Sequence, residues 1–405
     1  MPTPAVTATR EITPASCLVN VRYAIRDLAV LADEVAKTGK KILPLNIGDP
    51  LKFDFQTPPH LIQAVHKAMH DGMNGYAPSS GVTEALEAIR GEADRKGIRN
   101  VLDVFITTGV SEAVDICLSA LLNPGESVLT PSPEYPLYSA VLAKLEMPLC
   151  PYDLDEDHNW QPDFEQIERQ ITARTRGIVV INPNNPTGAL YSRDALLRVI
   201  ELARRHNLVI FADEIYDKLV FDAKPHVPLA SLARDVTIVT FGGLSKSYLA
   251  PGWRVGWGIV SGDSAASKQY VEGINKLLRA RLCASHPMQY AIRPALEGPQ
   301  DHLPEVNRKL RSRRDLTMKW CRETPGVSCI PPEGAFYAFP RLEIPDDDLE
   351  FVRKVLVEKH VLLVHGSGFG QKPGSKHVRI VFLPDEATLS RAYAALGDFM
   401  REHYR

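Results

Sequence analysis

Two short segments of this 405-residue sequence carry side chains able to do chemistry, and each follows an apolar, strand-like run. Residues 242–248 read Gly-Gly-Leu-Ser-Lys-Ser-Tyr and place Lys246 eight positions before Arg254. The lysine amine is the side-chain group that condenses reversibly with an aldehyde. Residues 211–216 run from apolar side chains straight into two carboxylates and a phenol. A carboxylate at a buried strand end needs a cationic partner to offset its desolvation, and the neighbouring sequence offers Asp213 no obvious one.

A third segment, residues 182–188, reads Asn-Pro-Asn-Asn-Pro-Thr-Gly and leaves another buried-looking strand. Two prolines and a glycine force the backbone to turn sharply there. By itself the segment is as consistent with a plain connecting turn as with a binding loop.

The elements that must position these segments alternate between short β-branched runs and longer helical stretches. That alternation predicts an α/β fold with a mostly parallel sheet covered on both faces. Ligands of such sheets bind beyond the carboxyl ends of the strands, where the polar segments stand. The predicted strands are 104–108, 127–130, 177–181, 208–212, 236–241 and 255–260.

Helices are predicted at residues 111–122, 193–205 and 349–359, each with an apolar stripe. Ser111 is expected to cap the first of them and Asn-Pro-Gly at 123–125 to end it. A strand-like run at 377–383 and the more charged composition after about residue 299 predict a smaller α+β domain. The predicted division is an N-terminal arm that joins the small domain (1–50), a large domain (51–298) and a small C-terminal domain (299–405).

Bulk composition excludes several classes of protein. The 47 basic and 49 acidic side chains give a formal charge of −2, so no global field would recruit nucleic acid or an anionic membrane. No stretch approaches the roughly 20 consecutive apolar residues that cross a bilayer. The six cysteines form no Cys-x-x-Cys pair and have no nearby His cluster, which predicts no metal site and a reducing cytoplasm.

These segments resemble the fold-type-I pyridoxal-phosphate aminotransferases, and among them the bacterial glutamate–pyruvate (alanine) type. The resemblance runs from about Tyr23 to the C-terminus. Four pieces in the right order carry it: Leu-Asn-Ile-Gly-Asp-Pro at 45–50, Asn-Asn-Pro-Thr-Gly at 184–188, Ala-Asp-Glu-Ile-Tyr-Asp-Lys at 212–218 and Gly-Leu-Ser-Lys at 243–246.

The resemblance implies that Lys246 holds pyridoxal 5'-phosphate as a Schiff base and later moves a proton between the substrate α-carbon and the cofactor. Asp213 would pair with the pyridine nitrogen, so that the cofactor itself supplies the missing cation. Asn185 and Tyr216 match the groups that hydrogen-bond the ring's phenolic oxygen. Lys246, Asp213 and Tyr216 are therefore the expected catalytic residues.

The same resemblance implies the remaining binding residues. The cofactor phosphate would meet Gly109, Val110 and Ser111 at a helix N-terminus, where backbone amides favour an anion, together with Arg254. Tyr135 would stack on the ring, and Tyr76 would reach a phosphate across the interface of a homodimer. Arg379, with Gly48 and Asn185, would bind the substrate carboxylate, for which a planar two-donor group is suited.

Some positions depart from the family pattern. Gly243 stands where many relatives have a phosphate-binding serine, which implies a slightly weaker phosphate grip, although the alanine type also has glycine there. Gly368 and Phe369 lie in a variable loop and leave the shape of the side-chain pocket open. His365, beside that loop, is expected to be a hydrogen-bonded loop histidine, with substrate contact as the alternative.

The predicted reaction transfers an amino group from an L-amino acid, most simply L-alanine, to a 2-oxo acid such as 2-oxoglutarate. An aspartate aminotransferase or a β-eliminating lyase would use the same lysine and aspartate. A dicarboxylate preference needs a second cation, for which Arg279, Arg281 and Arg26 are candidates. A non-catalytic regulator fused to a DNA-binding module is disfavoured, because the short N-terminal arm has no room for a helix-turn-helix.

Overall fold

The computed structural model describes residues 12–21, 28–222 and 225–404. Tyr23, Arg26 and the first eleven residues of the N-terminal arm lie outside these residues. An eight-stranded sheet dominates the fold, in the order β2-β9-β8-β7-β6-β3-β4-β5. Its strands are β2 (Val101–Thr108), β3 (Ser127–Ser132), β4 (Leu149–Asp155), β5 (Gln161–Pro162), β6 (Thr175–Ile181), β7 (Val209–Asp213), β8 (Ile238–Gly243) and β9 (Val255–Ser261).

The sheet is mostly parallel, as predicted. The pairs β3/β4, β3/β6, β6/β7 and β7/β8 are parallel, whereas β9 runs antiparallel to both β2 and β8. Strands β8 and β9 are joined without a crossover helix, and a parallel pair needs such a crossover. Because β2 is reversed relative to β9, the carboxyl ends of β2, β3, β6, β7 and β8 meet at one edge.

Alternate residues of the central strands face two separate cores. In β6, Ile178 and Val180 pack into one cluster, and Val179 and Ile181 into the other. This two-sided burial explains why the strands are continuous apolar runs rather than alternating ones.

Helices cover both faces of the sheet and build the rest of the chain. Residues of α3, α7 and α10 join the first core, and residues of α4, α5 and α8 the second. The helices are α1 (Ala29–Lys37), α2 (Pro59–His70), α3 (Thr83–Arg95), α4 (Val110–Leu121), α5 (Leu137–Lys144), α6 (Phe164–Gln170), α7 (Arg193–His206), α8 (Ser264–Ala280), α9 (His286–Gln289), α10 (Ile292–Glu297), α11 (His302–Glu323), α12 (Asp348–Lys359) and α13 (Glu386–His403).

The helix after β2 corrects one detail of the sequence analysis. Helix α4 begins at Val110, its N-cap residue is Gly109, and no side chain caps it. Ser111 is therefore the second residue of the helix and not its cap. The uncapped first turn leaves backbone N–H groups available to a ligand.

Short strands and a third core join the two ends of the chain. Strand β1 (Leu43–Pro44) pairs with β13 (Val361–Leu362), and the backbone of Leu45 accepts a hydrogen bond from Val381. The third core combines residues of α1, α11, α12 and α13. The other short strands are β10 (Val327–Ser328), β11 (Tyr337–Ala338), β12 (Arg341–Leu342), β14 (Val364–His365) and β15 (Val378–Val381).

The mixed α/β architecture is confirmed, whereas the domain limits at residues 50 and 298 stay a prediction. Within the described part of the chain, none of the helices has the length and apolar character that a membrane span requires.

Candidate active site

A cavity of about 220 Å³ opens at the carboxyl ends of the sheet strands. Segments from the N-terminal and C-terminal parts of the chain, around residues 47, 337 and 379, complete its lining. Ten of the predicted site residues line it, although they come from distant parts of the sequence. They are Gly48, Val110, Ser111, Tyr135, Asn185, Asp213, Tyr216, Lys246, Arg254 and Arg379.

Lys246 follows β8 and points its amine into the cavity. The Nζ atom donates a hydrogen bond to the carbonyl oxygen of Gly48 at 3.0 Å. Burial lowers the pKa of Lys246 to about 8, and the nearby Arg379 acts in the same direction. A substantial fraction of the amine is therefore neutral near physiological pH, and only the neutral amine is a nucleophile or base.

Asp213 ends β7 and is almost fully buried. Its carboxylate accepts hydrogen bonds from the Tyr138 hydroxyl at 3.0 Å and from the backbone N–H of Ile215 at 3.3 Å. Burial nonetheless raises the pKa of Asp213 to about 6. A buried carboxylate with a raised pKa is poised to bind a cation in the cavity.

Tyr138 and Tyr337 are contributors that the sequence analysis missed. Tyr138, in the first turn of α5, holds the Asp213 carboxylate. Tyr337, on β11, lines the cavity, and its hydroxyl lies 2.9 Å from that of Tyr216. The three-residue spacing between Tyr135 and Tyr138 was a weak sequence signal for Tyr138. No local signal marked Tyr337.

One end of the cavity is suited to a phosphate. The first turn of α4 supplies Val110 and Ser111, and Arg254 lies directly beside Gly109. Gly109 does not line the cavity itself, but its φ of 77° and the Arg254 guanidinium, which a Cβ there would overlap, both require glycine. Helix N–H groups and a fixed cation together favour a dianion.

The glycine at position 243 has a structural reason. A Cβ atom there would lie 2.7 Å from the carbonyl oxygen of Val255 on the neighbouring strand. A serine at this position would require β8 and β9 to move apart. This part of the cavity therefore offers Arg254 and the first turn of α4, without a serine at 243.

Arg379 lines the same cavity from β15 and is almost fully buried. Its Nη1 donates to Asn185 Oδ1 at 3.2 Å, and its Nη2 donates to the carbonyl oxygen of Asn46 at 2.5 Å. Both acceptors are neutral oxygens. A guanidinium held this way can present its planar edge to a carboxylate.

The loop after β6 is built by its own polar side chains. Asn184 accepts hydrogen bonds from the N–H and hydroxyl of Thr187, and Gly188 adopts a φ of 71°. This tight turn projects Asn185 into the cavity. The loop therefore contributes a side chain to the cavity in addition to connecting β6 to the next element.

Several predicted or candidate residues lie away from the cavity. Tyr76 has 82% of its surface exposed. His365 is buried and hydrogen-bonds Ser367, as expected of a loop histidine. Neither Arg279 nor Arg281 lines the cavity, and Arg281 donates to the carbonyl oxygen of Ile106.

Comparison with known proteins identifies this arrangement. The family model described as aminotransferase class I and II matches residues 40–396. The chain belongs to this family of aminotransferases. Among its relatives, the glutamate–pyruvate aminotransferase AlaA of Escherichia coli is 41% identical over 97% of this chain and 99% of its own. An alanine aminotransferase of Mycobacterium tuberculosis is 40% identical over 96% and 93% of the two chains.

Solved structures agree with the sequence comparison. An alanine aminotransferase from Pyrococcus furiosus superimposes on this aminotransferase with a TM-score of 0.93 at 41% identity. The match covers 96% of this chain and 100% of the other. The fold-type-I assignment is therefore confirmed over nearly the whole chain.

Aminotransferases of this class use pyridoxal 5'-phosphate, and the cavity of this chain fits that cofactor. Its lining holds three cations, Lys246, Arg254 and Arg379, against the single carboxylate of Asp213. That excess of positive charge suits an anionic phosphate and an anionic substrate. Asp213 in turn is a buried carboxylate that a pyridinium nitrogen would neutralise. The protein is a pyridoxal-phosphate-dependent aminotransferase.

Proposed function

We propose that this aminotransferase exchanges the amino group of L-alanine with 2-oxoglutarate, and catalyses the reverse reaction between L-glutamate and pyruvate. The Lys246 amine shares one cavity with Asp213 and Arg379, and this grouping supports amino transfer. The names of the relatives, glutamate–pyruvate and alanine aminotransferase, support the choice of substrates.

The proposed roles of the residues follow from their geometry. The neutral amine of Lys246 would hold the cofactor and then take the proton from the substrate α-carbon. The carboxylate of Asp213, which accepts a hydrogen bond from Tyr138, would keep a proton on the ring nitrogen of the cofactor. The bound cofactor supplies an electron-accepting ring that stabilises negative charge at the α-carbon. Tyr216 and Asn185 would hydrogen-bond the ring oxygen, and Tyr135 would stack on the ring.

The two ends of the cavity would bind the two anions. Arg254 and the first turn of α4, with Gly109, Val110 and Ser111, would hold the cofactor phosphate. Arg379 would bind the α-carboxylate that every amino-acid and 2-oxo-acid substrate shares, with Gly48 and Asn185 beside it. L-alanine needs no further cation, because its side chain is a methyl group.

Absorption spectroscopy tests the proposed reaction. L-alanine should discharge the visible band of the holoenzyme within one half-reaction, and 2-oxoglutarate should restore it. L-aspartate should do so with a kcat/KM at least about tenfold lower, the discrimination that one small pocket contact gives. Release of ammonia would indicate a lyase instead, and a stronger response to L-aspartate would indicate an aspartate aminotransferase.

We also propose that the protein is a cytoplasmic homodimer in which Tyr76 contributes to the partner's cofactor site. The exposure of this aromatic residue supports the proposal, as does the exposure of other large apolar side chains, among them Ile62, Met69 and Leu282. Light scattering should give about twice the mass of the chain. A monomer that is fully active would contradict this assembly.

Replacing Arg379 with lysine should weaken binding of both substrates. Lysine keeps the charge but loses the planar pair of donors, so KM for L-alanine and for 2-oxoglutarate should rise about 10- to 100-fold. Steady-state kinetics of both half-reactions measures this change. Arg308→Lys, in an exposed ion pair with Glu305 on α11, is the matched control and should leave KM unaltered. An unchanged KM in Arg379→Lys would exclude Arg379 as the carboxylate site.

A further inference from the structure

Tyr337 contacts three groups of the proposed site, although it belongs to none of the motifs discussed above. It is almost fully buried and lies on β11, which pairs with the strand that carries Arg379. In this register Tyr337 is opposite Val381, two residues after Arg379. Its side chain lines the cavity together with Arg379 and Lys246.

The ring of Tyr337 contacts the arginine. The guanidinium carbon of Arg379 lies 4.7 Å from the ring centroid of Tyr337 and equally far from that of Phe369. A guanidinium is attracted to the faces of aromatic rings, and stacking restricts its rotation. The two rings thus set the plane in which Arg379 can offer its donors.

The hydroxyl of Tyr337 contacts the opposite side of the site. It lies 2.9 Å from the Tyr216 hydroxyl, and both side chains are buried. It also packs against Gly48, where a Cβ would overlap it. The Gly48 carbonyl oxygen in turn accepts from Lys246. One side chain therefore links the arginine, the phenol and the backbone that orients the lysine.

Each phenol has a single proton to donate. If Tyr216 donated to Tyr337, its proton would point away from the cofactor ring. If Tyr337 donates, the Tyr216 oxygen acts as the acceptor and its own proton is left for the ring oxygen. A donated hydrogen bond also makes the Tyr216 proton a stronger donor, because hydrogen bonds in a chain polarise one another.

We propose that Tyr337 is a positioning residue for amino transfer with two separable actions. Its ring holds Arg379 in the plane that receives the substrate carboxylate, and its hydroxyl donates to Tyr216 so that the Tyr216 proton faces the cofactor's ring oxygen. The inference rests on the roles proposed above for Arg379 and Tyr216.

Two substitutions separate these actions. Tyr337→Phe keeps the ring and removes the hydroxyl, so KM should stay within about twofold of wild type. Without this contact, Tyr216 would donate a weaker hydrogen bond and stabilise the negative charge of the ring oxygen less. Protonation of the nearby Lys246 nitrogen, through which the cofactor is held, would then become more favourable. The pH midpoint of the visible absorption change should therefore rise by about 0.5 unit or more. Tyr337→Leu removes the ring as well, and KM for the amino acid and the oxo acid should rise together by about tenfold.

A double variant tests whether Tyr337 acts through Tyr216. The midpoint of Tyr216→Phe/Tyr337→Phe should equal that of Tyr216→Phe alone, because the shared contact is already lost. Tyr393→Phe is the matched control, since Tyr393 is a buried phenol that hydrogen-bonds Thr317 away from the cavity. Its midpoint and KM should equal those of wild type.

Three results would overturn the proposal: an unshifted midpoint in Tyr337→Phe, additive shifts in the double variant, or equal KM values in the Phe and Leu variants. If Tyr337→Leu does not retain cofactor, the Phe and double variants still decide the hydroxyl's role. The kinetics use whichever amino-acid and oxo-acid pair wild type turns over. Failure of wild type with L-alanine would therefore refute the proposed substrates and leave this test intact.

Discussion

Replacing Lys246 with alanine should lower turnover by at least about 10⁴-fold, because both the covalent attachment and the base are lost. Lys246 is the lysine among the described residues that line the cavity, so no neighbour can replace its amine. The purified variant should also lack the visible absorption band of the holoenzyme. Rates of both half-reactions and the spectrum measure the two losses separately.

The matched control for this variant is Lys276→Ala. Lys276 lies on the exposed face of α8, where it pairs weakly with Glu272, and its loss should leave turnover and spectrum unchanged. Retention of full turnover by Lys246→Ala would refute the assignment of the covalent lysine.

The lowered pKa of Lys246 adds a pH dependence to the same residue. With a pKa of about 8 in the cofactor-free protein, the neutral amine increases as pH rises through 8. The rate at which cofactor-free protein takes up pyridoxal phosphate should therefore increase from pH 7 and level off above about pH 9. A rate that falls across this interval would show that another group controls uptake.

Replacing Asp213 with asparagine should lower kcat/KM by about 10³-fold, which corresponds to about 4 kcal/mol of transition-state stabilisation. Asparagine has nearly the same shape, but it brings no negative charge to keep the ring nitrogen protonated. The ring then accepts electrons less well. Steady-state kinetics and the dissociation constant of the cofactor are the two measurements.

The thermal stability of Asp213→Asn shows whether the variant loses activity because it loses the charge or because it no longer folds. Burial raises the pKa of Asp213 to about 6, so above that pH the cofactor-free protein holds a carboxylate that would be better solvated in the unfolded chain. Cofactor-free Asp213→Asn should thus be at least as resistant to thermal unfolding as wild type at pH 7.5. A large drop in its melting temperature, with kinetics restored by stabilising conditions, would indicate a structural role instead.

The local chemistry of the site was readable from the sequence. Lys246, Asp213 and Asn185 each follow an apolar run at the carboxyl end of a strand, and in an α/β sheet such ends converge. The helix after β2 was also predictable, because a strand, a glycine and an amphipathic run occur in order. These features depend on short-range periodicity and turn-forming residues, which the sequence displays directly.

Other features depend on the tertiary structure. Strand β9 has the composition of its parallel neighbours, and only its connection and pairing reverse it. The hydrogen bond from Arg379 to Asn46 joins residues 333 positions apart, and the contact of Tyr216 with Tyr337 spans 121. No local pattern encodes such a distance.

Residue types and their spacing specify the chemical groups of this protein and the strands and helices that carry them. The tertiary structure decided which groups touch, how deeply they are buried and hence how their pKa values shift. Tyr337 has no local signature because its role comes entirely from what it contacts. The pKa values of Lys246 and Asp213 likewise depend on desolvation and on charges brought near by folding.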